Sequence, residues 1–268
     1  VTQLPEWAPA DLDVTRPSVA RVYDYVLGGA HNFDVDRQLA DEISRLAPNI
    51  IDSARASRHF LRRGVRFLAE AGIRQFLDIG SGIPTVGNVH EIAQAVEPTT
   101  RVVYVDIDPI AVAQSRSILR GNATTGVLCV DLRDPAKIFA EAVETGLINL
   151  DEPLAVLLAG VLHFLPDSDE PAEVVRQLRE PLAPGSYLLI SHATGDGQPP
   201  EVRAAQQLTA RSAEVTLRTH AEIAAFFGPF TLVEPGLVRL GQWRPDPADE
   251  PDPDPDRVAG YAGVGRND

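Results

Sequence analysis

The stretch FLDIGSGIPT, residues 76–85, decides how the rest of the chain is read. An apolar run ends in Asp78, glycines follow at 80 and 82, and Pro84 stands where a helix would begin. Glycine lets a chain turn tightly after a strand and lets backbone amides approach a ligand without a Cβ in the way. The dinucleotide pattern GxGxxG needs a third glycine where Thr85 stands. Pro84 also removes an amide and restrains Ile83. A pyrophosphate prefers several amides at a helix N-terminus, and Asp78 would repel it. The loop suits a nucleoside with a zwitterionic amino-acid tail better, its ammonium near Asp78. An NAD-dependent oxidoreductase is disfavoured.

Downstream, strand-like and helix-like segments alternate. Strands are expected at RQFLDI, RVVYVDI, GVLCVD, AVLLAGVL and SYLLISH, with helices at 86–96, 110–119, 135–145 and 170–179. Four of these strands are continuous apolar runs, the mark of parallel strands covered on both faces. The alternation predicts an α/β, doubly wound, Rossmann-like sheet. A helix at 220–227 is followed by FTLVE and LVRLGQW, an expected antiparallel pair around Pro235 and Gly236 at one edge. Asp106 and Asp108 end the second strand, where a carboxylate can take both ribose hydroxyls. Asp131 ends the third, near the expected place of an adenine ring. One such acid could equally be a helix cap. Three successive strand ends carrying acids point to a shared cleft.

Upstream, residues 1–14 read as an irregular lead-in. Thr15 is placed to cap a helix with Pro17 in its first turn, and Val19, Val22, Tyr23 and Val26 form an apolar stripe ended by Gly28 and Gly29. A second helix is expected after Asp36 as its N-cap, and a third at 51–71. Tyr23, Tyr25, His31, Asn32 and Phe33 fall close together, a mix suited to a lid hinged at the glycine pair and excluding water. Packing within the helices is the plainer reading. RHFLRRGVR, residues 58–66, reads as the solvated face of an amphipathic helix. Three regions are expected: an N-terminal helical lid or substrate region at 1–72, a nucleoside-binding domain at 73–245, and a flexible acidic, proline-rich tail at 246–268.

The 268 residues carry a net charge of -14, and the tail from Asp246 holds seven acids and two arginines. So acidic a body binds a phosphate backbone poorly, which argues against nucleic acid as partner. The one cysteine, Cys129, fits a reducing compartment. No leader-like segment opens the chain, and its longest apolar run, LAVLLAGVLHFL at 154–165, is too short to span a bilayer. A cytoplasmic protein with no membrane partner and no metal is expected.

The segments RPSVARVYDYVLGGAHNFDVDR, FLDIGSGIPTVGNVHEIAQ, RVVYVDIDP, VDLRDP, VLHFLPD and LAPGSYLLISHAT together resemble class I S-adenosylmethionine-dependent methyltransferases. More narrowly, the chain is similar to the actinobacterial methyltransferase-like group DUF574, over residues 14–243. The resemblance implies a seven-stranded, mostly parallel sheet with its last strand antiparallel, and S-adenosyl-L-methionine as cofactor with S-adenosyl-L-homocysteine as product. It implies that Gly80, Ser81 and Gly82 line the methionine moiety, with Asp78 positioning the loop or meeting the ammonium. Asp106 would hold the ribose, supported by Asp108, with Ile107 packed on the adenine. The narrow group often has asparagine where Ile107 stands. Asp131 would accept from the adenine amino group, Leu132 would cover the ring, and Gly160 would run under the sulfonium. His163, after the fourth strand, could act as a base if its pKa lies near neutrality. An ordinary pocket or core histidine is the alternative. Two functions follow: a methyltransferase acting on a small uncharged or cationic molecule, or a noncatalytic protein that binds the cofactor or its product and signals to a partner.

Overall fold

Five parallel strands organise the chain: β1 Gln75–Ile79, β2 Arg101–Asp106, β3 Thr125–Cys129, β4 Ala155–Ala159 and β5 Tyr187–Ala193. The computed structural model describes residues 14–83, 87–201, 208–210, 213–246 and 254–268. Pro84 and Thr85, whose presence disfavours a dinucleotide, lie outside the described residues. Side chains along a strand point alternately to opposite faces. Leu77, Val103 and Val156 join one hydrophobic core, while their neighbours Phe76, Val102 and Leu157 join the other. Both faces are covered, so the strands read as unbroken apolar runs.

The helices between them are α4 Val89–Val96, α5 Pro109–Ile118, α6 Pro135–Glu144 and α7 Pro171–Arg179. Three of these open on proline, where a missing amide costs nothing. Asp108 and Asp134 cap α5 and α6 through the amides of Ile110 (2.8 Å) and Lys137 (3.1 Å). The parallel strands lie in the order β3-β2-β1-β4-β5, so the chain leaves β1 in one direction and returns at β4 in the other. A crevice opens at the C-terminal ends of β1 and β4, the usual ligand position in such sheets.

The C-terminal part differs from expectation. The strands β6 Thr231–Leu232 and β7 Val238–Arg239 do not pair with each other; each pairs antiparallel with β8 Gly260–Arg266. β8 itself lies antiparallel against β5 along its whole length. The supposed flexible tail thus ends inside the sheet, and its boundary at residue 246 is corrected. The segment GYAGVGR hides its strand character because neighbouring bulky side chains fill its space. A Cβ at Gly265 would stand 2.7 Å from Phe227, and one at Gly260 2.5 Å from Leu240. The acids before it are engaged too: Asp256 pairs with Arg239 at 2.8 Å.

Among the described residues, three helices precede the sheet: α1 Val19–Val26, α2 Asp34–Leu46 and α3 Pro48–Glu70. Through Phe60, Leu61, Val65 and Leu68, α3 shares a core with the strands, so the N-terminal region packs into the sheet domain. α1 starts after Ser18 rather than Thr15, and it stops where Gly28 turns with φ +83°. Gly29 passes so close to Asp24 that a Cβ would overlap its carboxylate. Asp36 is the third residue of α2, not its cap, and reaches back to the Phe33 amide at 2.9 Å. RHFLRRGVR lies on an amphipathic helix as expected, but only His59, Arg62 and Arg66 form its exposed stripe. Arg63 is buried and donates to the carbonyls of Trp243 and Leu240, both at 2.9 Å, while Arg58 turns toward the crevice.

Candidate cofactor and acceptor site

The crevice is the mouth of a cavity of about 750 Å³, in the upper part of the ~300–1,000 Å³ range of small-molecule sites. Its wall includes Asp78, Gly80, Ser81, Gly82, Asp106, Ile107, Asp108, Asp131, Leu132, Gly160 and His163, gathered from the ends of β1 to β4. The glycine loop is held by its own amides. Gly80 and Ser81 donate to the Val105 carbonyl at 2.8 and 3.2 Å, and Gly82 donates to Oδ2 of Asp106 at 2.7 Å. These amides serve β2 and are not left for a ligand anion. Gly80 has φ +71°, and a Cβ there would stand 2.2 Å from Val161.

Asp106 also accepts the Asp108 amide on Oδ1 at 2.8 Å, so each oxygen is fixed by one bond and keeps a lone pair for a ligand hydroxyl. Burial raises its pKa, against the amides of Asp108, Gly82 and Ile107 that lower it. Ile107 is 57% exposed at the rim, an apolar plate beside those oxygens. Asp108 is otherwise employed: Oδ1 caps α5, and Oδ2 accepts from Ser18 Oγ at 2.7 Å, tying the N-terminal segment to the strand end. Both oxygens of Asp131 are gripped by Arg133, with Nη2 at 2.6 Å from Oδ2, and Arg133 reaches Asp169 at 3.3 Å. Burial raises the Asp131 pKa, but the bonds and charge of Arg133 outweigh it and the value falls.

Asp78 is buried below the loop. Burial pushes its pKa up to about 7, Arg58 draws it down, and Asp106 raises it further. Arg58 donates to Asn88 Oδ1 at 3.2 Å, while its Nε is buried without a partner. An orphaned donor in a cavity wall invites an acceptor on the ligand. Its place was open to inference, because Arg58, Leu61, Val65 and Leu68 follow the i, i+3, i+7, i+10 spacing of one helix face.

His163 does not have the near-neutral pKa a base would use. Burial, His192 and Arg218 push it down to about 3, and its Nδ1 is buried without a partner. His192 contacts the Ala193 carbonyl through Nδ1 at 2.7 Å and Arg218 through Nε2 at 3.1 Å. Because Arg218 can only donate, His192 is neutral with its proton on Nδ1. Burial pushes its pKa down to about 4. Arg218 donates as well to the carbonyls of Leu162 and Leu165 and to Asp167, which pins the turn carrying His163. Ser57 and Ser191 share a 2.8 Å hydrogen bond in the same wall. None of Ser57, Ser191, His192 and Arg218 stands out as sequence, since their meeting depends on the packing of distant segments.

Tyr23 belongs to the wall and donates to the Ala54 carbonyl at 3.2 Å. Tyr25, His31, Asn32 and Phe33 do not line the cavity. Tyr25 reaches Asp41 at 3.2 Å. Asn32 Nδ2 and the His31 amide both donate to Oδ2 of Asp24, at 2.9 and 2.8 Å. Phe33 lies under the Arg21 guanidinium, 5.5 Å from its ring centre. The α1–α2 turn is therefore internal bracing, and the expected ligand contacts from its four side chains are corrected.

This strand order, with carboxylates at the strand ends and a glycine loop whose amides are already engaged, defines a methyltransferase-like α/β protein. The chain belongs to the S-adenosyl methyltransferase family, whose sequence profile matches residues 5–268. It is 44% identical to a candidate methyltransferase from Thermobifida fusca YX, with a TM-score of 0.92 over 98% of this chain and 99% of that one. A DUF574 family protein from Streptomyces avermitilis MA-4680 is 41% identical, with a TM-score of 0.90 over 96% and 99%. The N-methyltransferase NodS from Bradyrhizobium japonicum WM9, solved with S-adenosyl-L-homocysteine, shares the fold alone. Its identity is 15% and its TM-score 0.51, over 92% of this chain and 98% of that one. No curated protein matches this chain. No helix among the described residues is long and apolar enough to cross a membrane.

Proposed function

We propose that the protein is a cytoplasmic S-adenosyl-L-methionine-dependent methyltransferase acting on a small molecule. The observation that carries this reading is the Asp106 carboxylate, fixed by two backbone amides beside the exposed Ile107 in the cavity wall. The residues fit the cofactor group by group. Asp106 would hold the ribose hydroxyls, and Ile107 with Leu132 would sandwich the adenine. Asp131, kept ionised by Arg133, would mark the adenine edge. Asp78 would meet the ammonium, and the orphaned Nε of Arg58 the carboxylate.

When bound, the cofactor supplies a methyl group on a sulfonium; the C–S electron pair stays with sulfur as the acceptor lone pair forms the new bond. The chain's contribution is alignment and dryness. Gly160, with φ +71°, leaves the ground beside His163 free of a side chain. His163 is too weak a base to take an acceptor proton at neutral pH and serves as a neutral wall group. That same weakness favours the second reading, a noncatalytic binder of the cofactor or its product. Against it, the cavity extends past the nucleoside elements to α1, α2 and the segment at 213–217.

Methyl-labelled cofactor incubated with the protein and separate pools of metabolites and nucleic acid tests the proposal. Label in small molecules is expected. Label mainly in nucleic acid, or in nothing despite cofactor binding, would contradict it.

A further inference from the structure

The cavity wall is divided by chemistry. Its four carboxylates, Asp78, Asp106, Asp108 and Asp131, all stand on or beside the ends of β1, β2 and β3. The opposite part, from α1, α2, α3 and the 213–217 segment, presents Val19, Val22, Val26, Ile43, Ile51 and Leu217. No acid stands among the described lining residues on that side. Resting on the methyltransferase reading above, we infer that the methyl acceptor is an uncharged, predominantly apolar small molecule seated in this second compartment.

Charge decides the class. A cationic acceptor would lose its hydration with no carboxylate at hand, a large penalty for an unpaired ion. An anionic one would find no available cation among the described lining residues. Arg133 is engaged by Asp131 and Asp169, and Arg218 behind the wall by Asp167 and two carbonyls. Arg58 faces Asp78 at the cofactor end. Both histidines between the two compartments are held neutral by burial and by the Arg218 charge. What remains polar near the junction is sparse and neutral: the Tyr23 hydroxyl and the Ser57–Ser191 pair. Such a set can orient one hydroxyl or amine on an otherwise apolar body.

The test uses the full chain saturated with S-adenosyl-L-homocysteine and titrated with N-phenyl-1-naphthylamine, a neutral apolar fluorophore. A saturable one-to-one rise in fluorescence that persists in excess nucleoside is expected. Val26→Asp should weaken the probe at least tenfold and leave the nucleoside Kd within about twofold. Absence of saturable binding to the loaded wild type, or displacement by the nucleoside, would overturn the inference, whether or not the variant folds. Labelled transfer separates the two levels of the account. Label confined to charged, water-soluble products would overturn the apolar acceptor and leave the methyltransferase standing. No label from any pool would overturn the methyltransferase reading, and the acceptor assignment with it.

Discussion

The strand ends and the N-terminal cover face the same cavity, yet they are built by different means. At the strand ends, functional groups are held by nearby backbone: Gly82 and Asp108 amides fix Asp106, and Val105 fixes the glycine loop. In the cover, buried side chains pair with one another as well as with the backbone. Asp36 alone receives the Ser18 amide, Arg21 Nε and the Phe33 amide at 2.7–3.0 Å. The first arrangement follows from a strand running into such a loop, whereas the second depends on side chains and backbone from separate segments meeting. The cover should therefore be where single substitutions unfold the protein, and the strand ends where they empty it.

The largest expected effect lies in the cover. Asp36→Ala leaves Arg21 charged and 2% exposed, and removing one partner of a buried pair costs about 3–5 kcal/mol. Urea unfolding should show a loss of that size; a change under 1 kcal/mol would mean the hub is dispensable. Next comes Asp106→Ala, which removes a charge-assisted partner of the ribose and should weaken cofactor binding by about 1.5–3 kcal/mol, roughly ten- to hundredfold. An unchanged Kd with the fold intact would show the acid misassigned.

A smaller effect follows from Asp78, whose pKa is pushed up to about 7 by burial. The cofactor ammonium favours the ionised carboxylate, so binding below that pH must first remove a proton. Affinity should fall as pH drops through 7, approaching about tenfold per unit, and level off above it. The two wall histidines, at about 3 and 4, stay neutral through this window. Asp78→Asn should flatten the profile; a profile unmoved by the substitution would assign the proton elsewhere. The smallest is Ser18→Ala, which severs the tie to Asp108 and should cost about 1 kcal/mol. Hydrogen exchange should quicken in α1 while α6 stays unchanged. Equal change in both would mean the tie does not hold the cover locally.

The same contrast explains what was legible in the sequence. Continuous apolar runs and acids at strand ends foretold the sheet, its order of elements and the gathering of Asp78, Asp106 and Asp131 at one cavity, because these follow from local patterning and chain direction. β8 escaped notice because Gly263 and Gly265 make room for Phe227, a fact about the neighbour and not about the segment. The wall residues Ser57, Ser191 and His192, with Arg218 behind them, escaped for the same reason. Tyr25, His31, Asn32 and Phe33 misled in the opposite sense. Their polar and aromatic character suits a ligand, but it is directed at Asp41, Asp24 and Arg21.

Calorimetric titration of the full chain with S-adenosyl-L-homocysteine and, separately, with NAD tests the account at its centre. Carboxylates at the strand ends and a loop whose amides are already engaged predict one saturable site for the sulfur nucleoside and no heat from NAD. Saturable NAD binding, with no response to the sulfur nucleoside, would contradict it.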